Sequence, residues 1–262
     1  MSEPTLEARG LVKSFGRVQA LRGASFAAHP GEVTALVGDN GAGKTVLVKC
    51  LSGVLQPDLG QILVEGNEIR LDSPLAALRR GIETVYQDLA LADDLGAPAN
   101  LFLGRERLVR GPWGWLDRPL GWFGVLDQRG MREEATAAFQ ELGMRLQDVQ
   151  APIALLSGGQ RQSVAIARSV IWASKVVLLD EPTAALGVVQ RARVLEVVRR
   201  VRDRGMAVVL ISHNMPEVLE VADRIEVLRL GTRVARFQAR ETTLEQLVAA
   251  MTGALTQEGE TA

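Results

Sequence analysis

Cysteine occurs once in the 262 residues, at Cys50. No disulfide can form within the chain, and a reducing compartment suits it. Inside a predicted helix, Cys50 reads as a small buried side chain and not a reactive thiol. Lysine is scarce as well: Lys13, Lys44, Lys49 and Lys175 stand against 26 arginines. Acids and bases nearly cancel, leaving a net charge of −1, which removes the whole-chain attraction that nucleic-acid binding draws on. No stretch reaches the 18 apolar residues of a membrane span; runs such as Val176–Leu179 and Ala207–Ile211 are strand-sized. Met1 to Glu7 lacks both a basic and an apolar region, so no secretory signal is expected. Disorder is excluded by the 47% apolar fraction. The length suits one α/β domain carrying a subdomain.

Against that background one run is decisive: Gly38-Asp39-Asn40-Gly41-Ala42-Gly43-Lys44-Thr45. It fits G-x-x-x-x-G-K-[ST], a loop whose backbone N–H groups wrap nucleotide phosphates. The apolar run Val33–Val37 precedes it and a helical stretch, Lys44–Leu51, follows. That strand–loop–helix setting is what a phosphate loop requires, so a bound nucleoside triphosphate is expected.

The rest of the chain organises around this loop. Residues 5–37 alternate apolar runs with turns at Gly16 and Pro30-Gly31, which predicts antiparallel strands leading into the phosphate-loop strand. Gln61–Val64 and Glu68-Ile69 flank a turn at Glu65-Gly66-Asn67. A short helix is expected over Ser73–Arg80 and a strand over Ile82–Tyr86, ending at Gln87. Residues 88–172 read mainly as helix and loop, with Met131–Leu142 and Gln160–Trp172 the clearest helices. Strand signals return at Val176–Leu179, Val208–Ile211 and Ile225–Leu228. Val194, Val197, Val198 and Val201 recur at helical spacing, which makes the arginines of 191–204 the wet face of an amphipathic helix. Thr242-Thr243-Leu244-Glu245 fits a capping box opening a last helix through Met251, with a polar tail after Gly253. The expected partition is a nucleotide-binding core with its β subdomain (1–87 and 173–240), a helical subdomain (88–172), and a C-terminal helix and tail (241–262). No internal repeat occurs, so one nucleotide unit is expected.

Further chemistry-bearing elements follow in order. They are Gln87; Leu156-Ser157-Gly158-Gly159-Gln160 at a helix start; Asp180-Glu181 after four apolar residues; Pro182-Thr183-Ala184-Ala185-Leu186-Gly187; and His213 after the strand ending Ile211-Ser212. Gln87 or His213 alone would read as an ordinary structural side chain. Two carboxylates at the mouth of a buried strand, by contrast, are costly without a task. The Gly41–Thr45 amides with Lys44 can neutralise phosphate charge at a helix N-terminus. The Thr45 hydroxyl and the Asp180 carboxylate are oxygen ligands suited to Mg²⁺. Glu181 is the candidate general base for phosphoryl transfer to water. Ser157–Gln160 reads as a second anion-binding helix start.

This set resembles the ATP-binding cassette (ABC) ATPases over about residues 5–240. The resemblance implies a P-loop α/β core with an antiparallel β subdomain and an inserted helical subdomain. It implies ATP and Mg²⁺ as ligands, held by Phe15 (stacked on adenine), Gly38, Asn40, Gly41, Gly43, Lys44, Thr45 and Val46, with Gln87 and Asp180 joining Thr45 at the metal. Glu181, His213, Gln87 and Lys44 would act in hydrolysis. Ser157, Gly158, Gly159 and Gln160 would face the ATP of a second cassette in a head-to-tail dimer sandwiching two ATP. Val46 stands where Thr is common, and Gly187 where most cassettes carry Asp.

The phrases Val85-Tyr86-Gln87-Asp88, Asn100 to Glu106 and Glu181 to Gly187 are similar to bacterial monosaccharide-importer cassettes of the ribose, xylose and fructose type. That resemblance implies a membrane permease as partner, a sugar-binding protein feeding it from outside, and a place on the cytoplasmic face of the membrane. Trp113, Trp115 and Trp122 lie in one segment, either a permease-facing patch or a small core of the subdomain. The alternative is a soluble ABC ATPase that moves no solute, as in metal-cluster assembly. The chain itself would not touch the sugar, so its sequence does not name it.

Overall fold

A computed structural model describes residues 3–109, 125–144, 146, 148–184 and 186–255. The chain opens with a long hairpin, β1 (Leu6–Phe15) and β2 (Val18–Ala28), turning at Gly16-Arg17. β3 (Val33–Val37) leaves that sheet and leads through the phosphate loop into α1 (Lys44–Leu51). Next come β4 (Leu59–Val64), β5 (Asn67–Ile69), α2 (Pro74–Arg79) and β6 (Ile82–Val85). The helical stretch holds α3 (Ala97–Leu101), α4 (Gln128–Glu141), a 3₁₀ turn at Ile153–Leu155 and α5 (Gly158–Trp172). The chain finishes with β7 (Val176–Asp180), α6 (Val188–Asp203), β8 (Ala207–Ile211), α7 (Met215–Val221), β9 (Arg224–Arg229), β10 (Thr232–Gln238) and α8 (Leu244–Thr252).

Two sheets result among the described residues. The antiparallel one runs β2-β1-β4-β5, and the larger one β10-β9-β3-β8-β7-β6. In the larger sheet β9, β3, β8, β7 and β6 are parallel, and only β10 is antiparallel. β3, β7 and β8 are almost wholly apolar because both faces of a parallel sheet are covered. Their period-2 alternation divides the interior in two. Val33, Ala35, Val37, Val177, Leu179, Val208 and Leu210 join the core built with α4, α5, α6 and α7. Leu36, Val176, Leu178, Val209 and Ile211 join the opposite core with α1 and the antiparallel sheet. The helical stretch is therefore no detached unit: Val164 to Ala167 of α5 share one core with the central strands.

Most expected elements appear where the periodicity puts them. Three differences stand out. β6 stops at Val85, so Gln87 sits two residues past the strand. The last helix is capped one residue later than expected: Thr243 accepts from the Gln246 amide, and the Gln246 side chain accepts from Thr243 N–H. The Thr242 hydroxyl is taken, donating to the Gln238 carbonyl at 2.6 Å. β10 and α7 had no counterpart in the sequence reading. Trp113, Trp115 and Trp122 lie outside the described residues.

Candidate functional site

The parallel strands β3, β6, β7 and β8 all end on one edge. Pairing of Val85 with Leu179, Asp180 with Ile211 and Leu36 with Ile211 brings the chain after each strand to the same level. The phosphate loop, Gln87, Asp180-Glu181 and His213 thus gather outside the carboxyl ends of one sheet, where open α/β folds hold their ligands.

The loop owes its shape to glycine. Gly43 has φ +102°, and a Cβ there would stand 2.8 Å from the Ala20 carbonyl oxygen of β2. No side chain caps α1, so the amides of its first turn have no side-chain acceptor. Lys44 lies over its own loop, its Nζ donating to Gly38 O at 2.6 Å and Asp39 O at 3.0 Å. Burial pulls the Lys44 pKa down, against the opposing pull of Glu181, Asp39 and Asp180. Thr45 is exposed and Val46 half-buried at the same helix start.

At the tip of β7, burial first and the neighbouring Glu181 second push the Asp180 carboxyl above the usual carboxylate range, with Lys44 and Lys49 opposing. Glu181 takes φ +49°, a left-handed backbone that a non-glycine residue adopts at some cost, and its N–H donates to Ile211 O of β8. Glu181 Oε1 lies 3.1 Å from His213 Nδ1, the histidine 68% exposed and the glutamate 27%. The two residues thus meet across β7 and β8 at the open edge.

Thr45, Gln87 and Asp180 supply only oxygen donors, the chemistry that Mg²⁺ takes. The elevated Asp180 carboxyl marks a place where a cation would be welcome. Among the described residues no group of three or more His, Cys, Asp or Glu could hold a metal alone.

Phe15 is 46% exposed at the end of β1, with Lys13 Nζ 5.8 Å from its ring centroid. It pairs with Val18, two residues before the Ala20 carbonyl that meets the phosphate loop. Asn40 and Gly41 are exposed on the loop itself.

Ser157–Gln160 start α5 elsewhere. No hydrogen bond or ion pair joins them to the phosphate loop among the described residues. Ser157 and Gln160 close a capping box, Gln160 N donating to Ser157 Oγ and Ser157 N to Gln160 Oε1. A Cβ on Gly159 would come 2.9 Å from Gln190 Cβ of α6, so this glycine serves helix packing. A cleft of about 690 Å³ beside it is lined by Met144, Ser157, Gln160, Val188 and Arg193, and includes no phosphate-loop residue.

Sequence reasoning missed several residues that hold the site. Arg168 of α5 donates to the carbonyls of Leu89 and Ala90, fixing the chain after Gln87. The wholly buried Asn100 ties down Ala92, Leu95 and Gly96. Glu217 gathers Thr183, Arg191 and Asn214. Arg168 and Glu217 have no local signature, since Leu89, Ala90, Thr183 and Arg191 lie far off in sequence, whereas Asn100 bonds to nearby chain but is buried only by the fold.

Fold and loop define a P-loop nucleotide-binding domain. The profile of the ABC transporter family matches residues 21–184, and the chain belongs to that family. It is 51% identical to the fructose import ATP-binding protein of Rhizobium meliloti, over 96% of this chain and 95% of that one. It is 43% identical to the xylose/arabinose import ATP-binding protein of Sulfolobus acidocaldarius, over 94% and 93%. A ribose import ATP-binding protein of Lacticaseibacillus paracasei is 36% identical over 95% of this chain, which spans 47% of that protein. Among solved structures, the ADP conformation of an ATP-binding cassette from an ABC transporter superposes with a TM-score of 0.79 at 24% identity, covering 96% of both chains.

Proposed function

We propose that this chain is the ATP-hydrolysing subunit of an ABC importer of a monosaccharide, driving uptake through a separate permease from the cytoplasmic face of the membrane. One observation carries the hydrolytic half. Glu181 and His213 are paired at 3.1 Å on the same sheet edge as an uncapped phosphate-loop helix and Lys44. The import half is supported by relatives named for fructose, xylose/arabinose and ribose import, which favour transport over a soluble non-transport role.

In this reading the α1 amides and Lys44 bind the β- and γ-phosphates. Gly38, Asn40, Gly41, Gly43 and Val46 shape the cradle, and Phe15 offers its ring to the adenine. Glu181 orients and deprotonates the attacking water, and His213 holds both Glu181 and the γ-phosphate. Thr45, Asp180 and Gln87 would hold Mg²⁺, which when bound neutralises charge on the transferring phosphoryl group. Residues 88–172 form the helical subdomain, whose Ser157, Gly158, Gly159 and Gln160 meet the ATP of a second copy, so that two chains enclose two ATP. A sugar-binding protein outside the membrane would deliver substrate to the permease.

The test is purification of the tagged chain from gently solubilised membranes, followed by mass spectrometry. Recovery of a multi-span permease together with a sugar-binding protein is expected. A chain that stays in the cytosol with soluble partners alone would contradict the import half.

A further inference from the structure

Glu217 is a buried carboxylate to which the hydrolytic reading gives no task. It is 4% exposed, on the first turn of α7. The Thr183 hydroxyl donates to its Oε2 at 2.5 Å, and Asn214 Nδ2 donates to its Oε1 at 2.8 Å. Arg191 Nε of α6 lies 2.6 Å from the same Oε1, close enough for an ion pair although its N–H is poorly aligned for a hydrogen bond.

Each partner lies in, or reaches back to, a segment that carries a reacting or contacting group. Thr183 is two residues from Glu181, in a turn closed by Ala184 N–H donating to Glu181 O at 3.1 Å. Asn214 is next to His213, and its N–H donates to Ser212 Oγ at 3.0 Å. Arg191 leads back to the same turn, its guanidinium reaching Leu186 O at 3.4 Å. The Leu186 side chain in turn lies 3.2 Å from where a Cβ on Gly158 would stand, at the start of α5. The chain segments 181–187 and 212–217 are therefore joined twice. Glu181–His213 is the outer join, open to solvent, and Thr183–Glu217–Asn214 is the inner one, with Thr183 and Glu217 buried and Asn214 half-buried.

A buried charge is retained at a cost unless fully partnered. Here the partners are drawn from both segments that must stay in register. We propose that Glu217 is a positioning residue for hydrolysis: its carboxylate fixes the β7 turn to the β8 turn, and so sets the Glu181–His213 geometry and the left-handed backbone of Glu181. The inference rests on the ATPase reading above. It touches none of the phosphate-loop residues, so nucleotide affinity should change far less than turnover.

The experiment compares steady-state MgATP hydrolysis by the full chain and by Glu217→Gln, Thr183→Val and Thr183→Ser, with melting curves to count folded protein. Thr183→Val keeps the shape and removes the hydroxyl, whereas Thr183→Ser restores it. Per folded molecule, Glu217→Gln and Thr183→Val should each lower kcat by about tenfold or more with KM for ATP within about twofold, the signature of misplaced reacting groups. Thr183→Ser should stay near wild type, and the double variant should lose little beyond either single one. Unchanged kcat in folded Thr183→Val, or equal loss in Thr183→Val and Thr183→Ser, would overturn the inference even if Glu217→Gln failed to fold. A wild-type chain without hydrolysis would remove the ATPase reading and this inference together, whereas active wild type with unaltered variants would remove the inference alone.

Discussion

Helices α1 and α5 both begin in glycine-rich sequence, and both were expected to present amides to phosphate. Their first turns are finished differently. α1 starts at Gly43 in a left-handed conformation with no side-chain cap. α5 starts at Ser157 with a closed capping box, and Gly159 is spent on contact with α6. α1 leaves its first-turn amides without a side-chain acceptor, whereas α5 commits the Gln160 amide to its own cap. Whatever α5 offers a second nucleotide must come from donors its cap leaves over, such as the exposed Ser157 hydroxyl.

Substitutions can break or sharpen this contrast. The largest effect belongs to α1: Lys44→Ala should lower MgATP turnover on the order of 10²–10³-fold by removing a charge that faces the phosphates, read by phosphate release. Gly159→Ala should instead cost about 1–3 kcal/mol of stability by forcing a methyl against Gln190, with ATP affinity of the monomer unchanged by titration. Ser157→Ala should cost about 1 kcal/mol through the lost cap, measured by denaturant unfolding. If it also weakened nucleotide binding by the isolated monomer, the two helix starts would not be separable.

A smaller effect tests the strand edge. The folded Asp180 pKa is raised by burial and by Glu181, so between its unfolded and folded values the native state holds more protons. Stability contributed by this group is therefore present at low pH and falls as pH rises from the ordinary carboxylate range through the raised value. Asp180→Asn should remove that decline and melt slightly higher at neutral pH, while hydrolysis dependent on Mg²⁺ is lost. A melting temperature for Asp180→Asn below wild type at neutral pH would contradict the assignment of desolvation as the main cause.

The difference between what was and was not legible follows the same division. Val33–Val37 and Lys44–Leu51 were readable to the residue because strand apolarity, glycines and the lysine are all local. The C-terminal capping box was off by one because Thr242 and Thr243 each stand three residues before a Glu or Gln. Only the fold shows that the Thr242 hydroxyl is already occupied by Gln238. α7 is short and begins with Pro216 near its start, which gave no periodic signal. β10 reads Thr-Arg-Val-Ala-Arg-Phe-Gln at a sheet edge, without the strict polar–apolar alternation that marks a strand. Glu217 and Arg168 were hidden because partners of theirs arrive through tertiary structure, and Asn100 because its burial does. Arg168, for instance, reaches Leu89 and Ala90 far back in the chain.

The measurement that bears most directly on the account is MgATP hydrolysis and oligomeric mass for the full chain beside Glu181→Gln. Turnover should fall about 10²–10⁴-fold on loss of the base, while ATP converts the variant from monomer to a stable dimer by light scattering. Undiminished turnover in Glu181→Gln, or a variant that stays monomeric in saturating MgATP, would contradict the account.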